Sequence, residues 1–330
     1  MMKALLPRNM LIPFLSKISQ KMEVIAPVLI QGTPVFCTWT GQDLALEENP
    51  LHPPTEFLLP QKETLFRYVQ ESGRYTFEEE QAMPRLILGL RPCDLRAANV
   101  LDRIFEQPPR DHHYLGRRRA TLIAVLNCTK PDDGCLCAQF GSGPEAKDEY
   151  DLLITEIGPG YLVEAGSPAG ILLLSDNPEF FHDATDAHLA EKSDLMKKAS
   201  EQIKLHSDIS LQKMKDRIKR ADWESLEKEC FNCGGCTFVC PVCHCFNILD
   251  LGIPDGERVR CRDTCILSGF SRLAGGANPR KSPGERMKNW YLDKFEYTPQ
   301  KTGLAGCVGC GRCQKVCMAE IDRWKLESVK

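Results

Sequence analysis

Cys230, Cys233, Cys236 and Cys240 stand at the spacing C-x2-C-x2-C-x3-C, and Cys307, Cys310, Cys313 and Cys317 repeat it. A tight loop of this spacing points three thiolates at three corners of an iron–sulfur cube. The fourth cysteine, three residues further on, points away and serves a second cluster. The pattern therefore predicts two [4Fe–4S] clusters with exchanged ligands: Cys230, Cys233, Cys236 and Cys317 at one, and Cys307, Cys310, Cys313 and Cys240 at the other. Zinc sites usually pair two short C-x2-C knuckles across a long loop, so three close thiolates repeated twice fit cubanes better. Pro241 follows the first motif, whereas Met318 takes that place after the second, which leaves the ligand set intact.

A second group of thiols lies in the front half. Cys93 follows the apolar run PRLILGL, Cys128 follows ATLIAVLN, and Cys135 and Cys137 sit on the loop TKPDDGCLC. If the two runs are parallel neighbours in a sheet, these thiols emerge together at its carboxyl edge, where open α/β sheets place their sites. Four thiols there suffice for a third [4Fe–4S] cluster; free cysteines are also commonly buried as small hydrophobes, and the C-x-C pair is tight for two corners of one cube. The residues alone leave both readings open. Cys37, alone in a strand, reads as core.

The elements that must position these thiols divide the chain in three. Residues 1–182 read as a mixed α/β domain. An amphipathic helix comes first (MMKALLPRNMLIPFLSKISQK), then the strands MEVIAPVLI and TPVFCTW about a Gly32-Thr33 turn. After PRLILGL comes the helical spacing of Leu95, Val100, Leu101 and Ile104 in DLRAANVLDRIF, and after ATLIAVLN the strands DLLITEI and GYLVEAG, parted by Gly158-Pro159-Gly160. Residues 183–229 are rich in Lys, Glu, Ala and Leu and form a helical linker, with a break near His206-Ser207-Asp208. Residues 230–330 hold twelve of the seventeen cysteines. The fold class is thus α+β.

Composition narrows the function. The 330 residues are 42% hydrophobic and 26% charged, with a net charge of −3, so no general attraction to nucleic acid or anionic membrane is expected. No apolar run approaches the roughly 18 residues needed to cross a bilayer. An odd number of clustered cysteines suits a reducing cytoplasm rather than a disulfide framework. No G-x-G-x-x-G follows a strand, and no P-loop or Ser/His/Asp grouping is visible, so electron carriage outweighs substrate chemistry and no catalytic residue is assigned. A cluster-containing enzyme with an open iron, or a redox sensor, is the alternative; four candidate ligands per cluster and the lack of an output element count against them.

With these motifs in view, the chain resembles the β subunits of soluble NAD(P)-linked [NiFe] hydrogenases (sulfhydrogenases) and the corresponding iron–sulfur subunit of anaerobic sulfite reductase. The likeness is carried by LRPCDLRAANVLDRIF, LNCTKPDDGCLCAQFGSG, CFNCGGCTFVCPVCHC, TCILSGFSRLAGGANPR and CVGCGRCQKVC. The 66 residues between Cys240 and Cys307, with helical material such as GERMKNWYLDKF, resemble an α-helical ferredoxin module. The resemblance implies a third cluster on Cys93, Cys128, Cys135 and Cys137. It also implies single-electron relay between a flavin/NAD(P)-binding subunit and a catalytic redox subunit of hydrogenase, sulfite reductase or heterodisulfide reductase type, in an anaerobe.

Some residues stay outside these sets. Cys243, Cys245, Cys261 and Cys265 could hold a fourth cluster or zinc, but buried thiols that pack near the first cluster and tune it are the favoured reading. His112-His113 and His244 read as structural. Arg117-Arg118-Arg119 and the segment 272–294, with six Lys/Arg against two Asp/Glu, are basic faces, solvated or docking.

Overall fold

The computed structural model describes residues 2–204 and 209–326. The break expected near His206-Ser207-Asp208 lies outside them. The front half begins with β1 (Lys3–Pro7), α1 (Leu11–Ile18), β2 (Glu23–Ile30), β3 (Thr33–Thr38), β4 (Lys62–Glu71), β5 (Arg74–Glu78) and β6 (Arg85–Leu90). It continues with α2 (Pro92–Phe105), α3 (His112–Arg119), β7 (Thr121–Leu126), β8 (Leu152–Ile157), β9 (Gly160–Ala165), α4 (Pro168–Ser175) and the short β10 (His182–Asp183).

Eight strands form one sheet in the order β10-β1-β9-β8-β7-β6-β2-β3. Its centre is parallel: β2 pairs with β6, β6 with β7, and β7 with β8. These strands are apolar on both faces because helices cover both. Ile87, Ile123 and Val125 pack with Leu95, Ala98 and Tyr114 from α2 and α3. Leu86, Ala124 and Ile154 pack on the other face with Phe14, Leu15 and Leu174 from α1 and α4. With β6 and β7 as parallel neighbours, their C-terminal ends open onto the same edge, where Cys93 and Cys128 follow.

One expectation is corrected at the start of the chain. Residues 1–21 do not form a single helix: Lys3–Pro7 is a strand, antiparallel to β9, with Ala4, Leu5 and Leu6 buried. Pairing across the sheet overrides the weak helical preference of KALL, and Pro7 breaks the chain before α1.

The back half supplies α5 (Asp186–Lys204), α6 (Leu211–Arg220), α7 (Trp223–Glu229), α8 (Gly235–Phe238), β11 (Phe246–Leu251), β12 (Gly256–Arg262), α9 (Pro283–Leu292), α10 (Thr298–Thr302) and α11 (Arg312–Lys315). A π turn, Asp293–Tyr297, joins α9 to α10. Helix α9 starts at a capping box in which Ser282 accepts from Glu285 N–H and Glu285 accepts from Ser282 N–H, with Pro283 at its first position.

A second, antiparallel sheet was not visible in the sequence. Its order is β11-β12-β4-β5, so strands near residues 62–78 pair with strands near 246–262. The helical character expected of the C-terminal hundred residues is thus interrupted by the β11–β12 hairpin. Where this sheet meets the body, buried Arg260 donates to Glu63 Oε1 (2.5 Å) and to Asp111, while Arg117 pairs with Glu63 (2.5 Å). The Arg260 guanidinium also lies over the rings of Phe246 and Phe105. Front and back halves therefore share a sheet and a buried ion network.

Candidate iron–sulfur sites

The two C-x2-C-x2-C-x3-C motifs repeat in backbone as well as spacing. Asn232 and Gly309 take φ of 52° and 61°, and Gly234 and Gly311 both take 73°. These left-handed residues turn each loop so that its three thiols face one side, and Gly234 and Gly311 then cap the one-turn helices α8 and α11. The two turns pack against each other, and each carries its fourth cysteine just past its end.

Packing the turns together exchanges the fourth cysteines. One cavity is lined by Cys230, Cys233, Cys236 and Cys317. The other is lined by Cys240, Cys307, Cys310 and Cys313. Cys233 is exposed at the mouth of the first, beside Phe231 and Met318, which are 66% and 74% exposed. Trp290 and Arg323 line both cavities and form the wall between them. Arg323 donates from Nη2 to Cys317 Sγ at 3.0 Å.

At the far side of the second cavity the motif loop rests on the front half. Leu136 N–H donates to Gly309 O at 2.7 Å, and Ser142 Oγ donates to Val308 O at 2.6 Å. A Cβ on Gly309 would stand 2.5 Å from the Leu136 carbonyl carbon, and one on Gly311 2.7 Å from Gly134 O. Only glycine allows this approach.

The loop that receives them carries Cys135 and Cys137. Cys93 and Cys137 belong to one buried apolar cluster with Val242 and Val308, and Cys240 and Cys310 pack against it. Cys135 and Cys128 are near enough to Cys137 for their charges to add to the upward push that burial gives its thiol. This third group is therefore contiguous with the second cavity.

A buried ion pair spans the same junction. Arg312, 2% exposed, donates from Nη1 to Asp94 Oδ1 (2.5 Å) and from Nη2 to Asp94 Oδ2 (3.1 Å). Its Nε reaches Pro50 O (2.9 Å) and Nη2 also reaches Asn49 Oδ1 (2.8 Å). Arg312 lies between Cys310 and Cys313 in sequence, and Asp94 follows Cys93 at the start of α2.

Burial raises most of these thiols. It lifts Cys307 and Cys135 to about 12 and Cys236 to about 11, and it pushes Cys93, Cys137 and Cys313 up as well. Cys240 is lowered instead, first by a hydrogen bond from Cys243, against burial, with Lys294 adding to it. A metal must displace these protons, so binding and proton release are linked.

Several features fit iron–sulfur clusters. Each of the two motif cavities offers four thiols and mostly apolar walls. Trp290 Nε1 and Arg323 Nε are buried N–H groups with no partner among the described residues, and both belong to the wall between the cavities. Unpaired buried donors are costly, and sulfur at a cluster is an acceptor that would satisfy them.

Lys294, Trp290, Arg312 and Arg323 were missed as site residues in the sequence. Arg312 had a local signal, since it falls inside GCGRC; the others come from distant stretches. The segment 272–294 is not a plain solvated face, because Arg286 is buried and donates to Ile266, Arg280 and Lys281 carbonyls, and Lys294 is buried too. Of the arginine run, Arg117 pairs with Glu63 and Arg118 with Asp102.

Cys243, Cys245 and Cys265 lie in the core that holds the motif cysteines, with Cys243 bonded to Cys240 and Cys245 to Cys265 through hydrogen bonds. That core includes Cys230, Cys236 and Cys317 of the first site as well as Cys307 and Cys313 of the second. Cys261 is on β12, and Cys37 packs on the sheet core. His244 stacks edge-on to Phe105 and meets Val242 O at 3.0 Å. His112, His113 and Glu79 bring three donor atoms within 4.8 Å at the surface.

The comparisons agree with this chemistry. Residues 229–321 match the family model described as a 4Fe-4S dicluster domain. The chain is therefore an iron–sulfur protein of the dicluster kind. As a whole it is similar to sulfhydrogenase 2 subunit beta of Pyrococcus furiosus: the two are 28% identical over 321 residues, which cover 95% of this chain and 93% of that one. It is an iron–sulfur electron-transfer protein. No helix among the described residues is long and apolar enough to cross a membrane.

Proposed function

We propose that the chain holds three [4Fe–4S] clusters in a row and relays single electrons between a flavin subunit that reacts with NAD(P)H and a catalytic redox subunit. Cys230, Cys233, Cys236 and Cys317 hold the first; Cys240, Cys307, Cys310 and Cys313 the second; Cys93, Cys128, Cys135 and Cys137 the third. Sulfhydrogenase 2 subunit beta is by its name one subunit of a larger assembly; this chain works within such an assembly too. When bound, clusters of this type take up and give back one electron each, at potentials set by burial and by hydrogen bonds to sulfur.

The observation that carries this reading is the exchange of fourth cysteines between two adjoining cavities. Exchange ties the two sites into one unit, with Trp290 and Arg323 lining both. The contact of Gly309 and Val308 with the Leu136 loop then brings the third group alongside. The protein's own residues keep water from the middle site, hold the thiols in place and fix the order of the sites. The reading agrees with the two-motif plan of the α-helical ferredoxin modules that residues 230–330 resemble.

Iron and sulfide counts on anaerobically purified protein test the reading. About twelve irons per chain are expected, four at each site. Zinc in their place, or fewer than about eight irons, would overturn it.

A further inference from the structure

We propose that Lys294 is a potential-setting residue: its ammonium offsets the burial of the central site formed by Cys240, Cys307, Cys310 and Cys313 and keeps that site reducible. The inference rests on the three-site reading above.

Adding an electron to a thiolate-ligated cluster increases its negative charge, and a low-dielectric surrounding opposes that step. No thiol of the central site is exposed, whereas Cys233 of the first site is. The first site has the exposed Cys233 at its mouth, whereas Cys240 and the 307–313 loop are covered by α9, the π turn and the front half. Something must compensate there, or the middle of the row would be the hardest place to put an electron.

Lys294 is 2% exposed and lines the central cavity but not the first one. Its Nζ donates to Gly306 O at 3.3 Å and lies 5.3 Å from the centre of the Trp290 ring. It shares that cavity with Cys240, Cys307, Cys310 and Cys313. A buried ammonium held chiefly by a carbonyl, a ring face and sulfurs is costly in any structural role. Beside a reducible anionic group it is instead stabilising, and more so in the reduced state.

The backbone supports the same reading. Lys294 sits on the π turn Asp293–Tyr297 that interrupts α9 and α10. Such turns shift the face a side chain occupies and recur at functional sites. The other buried cations differ in arrangement. Arg323 lines both cavities and should act on both sites. Arg312 is neutralised by Asp94 and contributes little net charge.

Redox titrations of the purified holoprotein, followed by electron paramagnetic resonance, separate these roles. In Lys294→Met, with iron content as in the unmodified protein, one midpoint should fall by at least a tenfold change in its reduction equilibrium, about 59 mV for one electron. The remaining midpoints should move less. Lys294→Arg should stay within that limit, and Arg323→Met should lower two midpoints. Loss of about four irons from Lys294→Met and Lys294→Gln, but not from Lys294→Arg, would also assign the requirement to charge. Unchanged midpoints at full iron, or equal iron loss in all three variants, would overturn the proposal. A shortfall of iron in the unmodified protein would instead fault the three-site reading beneath it.

Discussion

Asp94→Ala is expected to be among the most damaging single substitutions outside the cysteines. Asp94 is fully buried and accepts two hydrogen bonds from Arg312, itself 2% exposed. Removing one member of a buried ion pair leaves the other charge without a partner and costs about 3–5 kcal/mol. Asp94 Oδ2 also accepts from Arg91 N–H at 3.2 Å, so the start of α2 loses a cap worth about 1 kcal/mol. Anaerobic urea unfolding, read by far-ultraviolet circular dichroism and by loss of visible absorption, measures the sum. With an m-value of about 3 kcal/mol/M, the midpoint should fall by roughly 1.3–2 M. The double variant Asp94→Leu/Arg312→Met removes both charges. It should recover most of that loss, since apolar replacement of a buried pair is often near neutral. A midpoint shift below about 0.3 M for Asp94→Ala would refute the reasoning, as would strict additivity of the two single substitutions.

Gly311→Ala should shed iron, because its Cβ would stand 2.7 Å from Gly134 O at a φ of 73°; a loss of about four irons per chain is expected, with the first site retained. Gly275→Ala, also at positive φ but with nothing within 4 Å, is the control and should keep full iron. His113 is held below the ordinary 6.5 by burial first and by the charge of His112 second. The unfolded chain therefore takes up a proton that the folded one resists. Stability should fall as pH drops below 6.5 toward the lowered folded value, and His113→Gln should flatten that slope in urea titrations between about pH 5.5 and 7.5. Ser282→Ala removes the cap of α9 and should cost about 1 kcal/mol in the same assay, without changing iron content.

The cysteine motifs were legible because ligand spacing is a local property: three thiols on one tight loop are fixed by their separation along the chain. The central strands were legible for a similar reason. Runs such as LILGL and TLIAVL are buried on both faces and read as continuous apolar segments. The hairpins of the second sheet were not. Their residues do not alternate cleanly between buried and exposed, and β5 and β11 are exposed along most of their length, so no strong pattern marks them. Their pairing joins stretches nearly two hundred residues apart, such as Thr64 and Val259. The start of the chain misled because KALLP is too short for periodicity to decide, and its fate depends on β9. The buried cations were hidden for the opposite reason. Lys294, Arg312 and Arg323 look like ordinary surface charges until the fold turns them inward toward sulfur.

The exchange of ligands between the two motifs is the claim on which the account turns, and serine substitution read by electron paramagnetic resonance tests it most directly. Cys317→Ser should remove or alter the same signal as Cys230→Ser, and Cys240→Ser the same signal as Cys307→Ser. If Cys317→Ser instead altered the signal lost in Cys307→Ser, each motif would serve its own cluster, and the arrangement argued from the two cavities would be wrong.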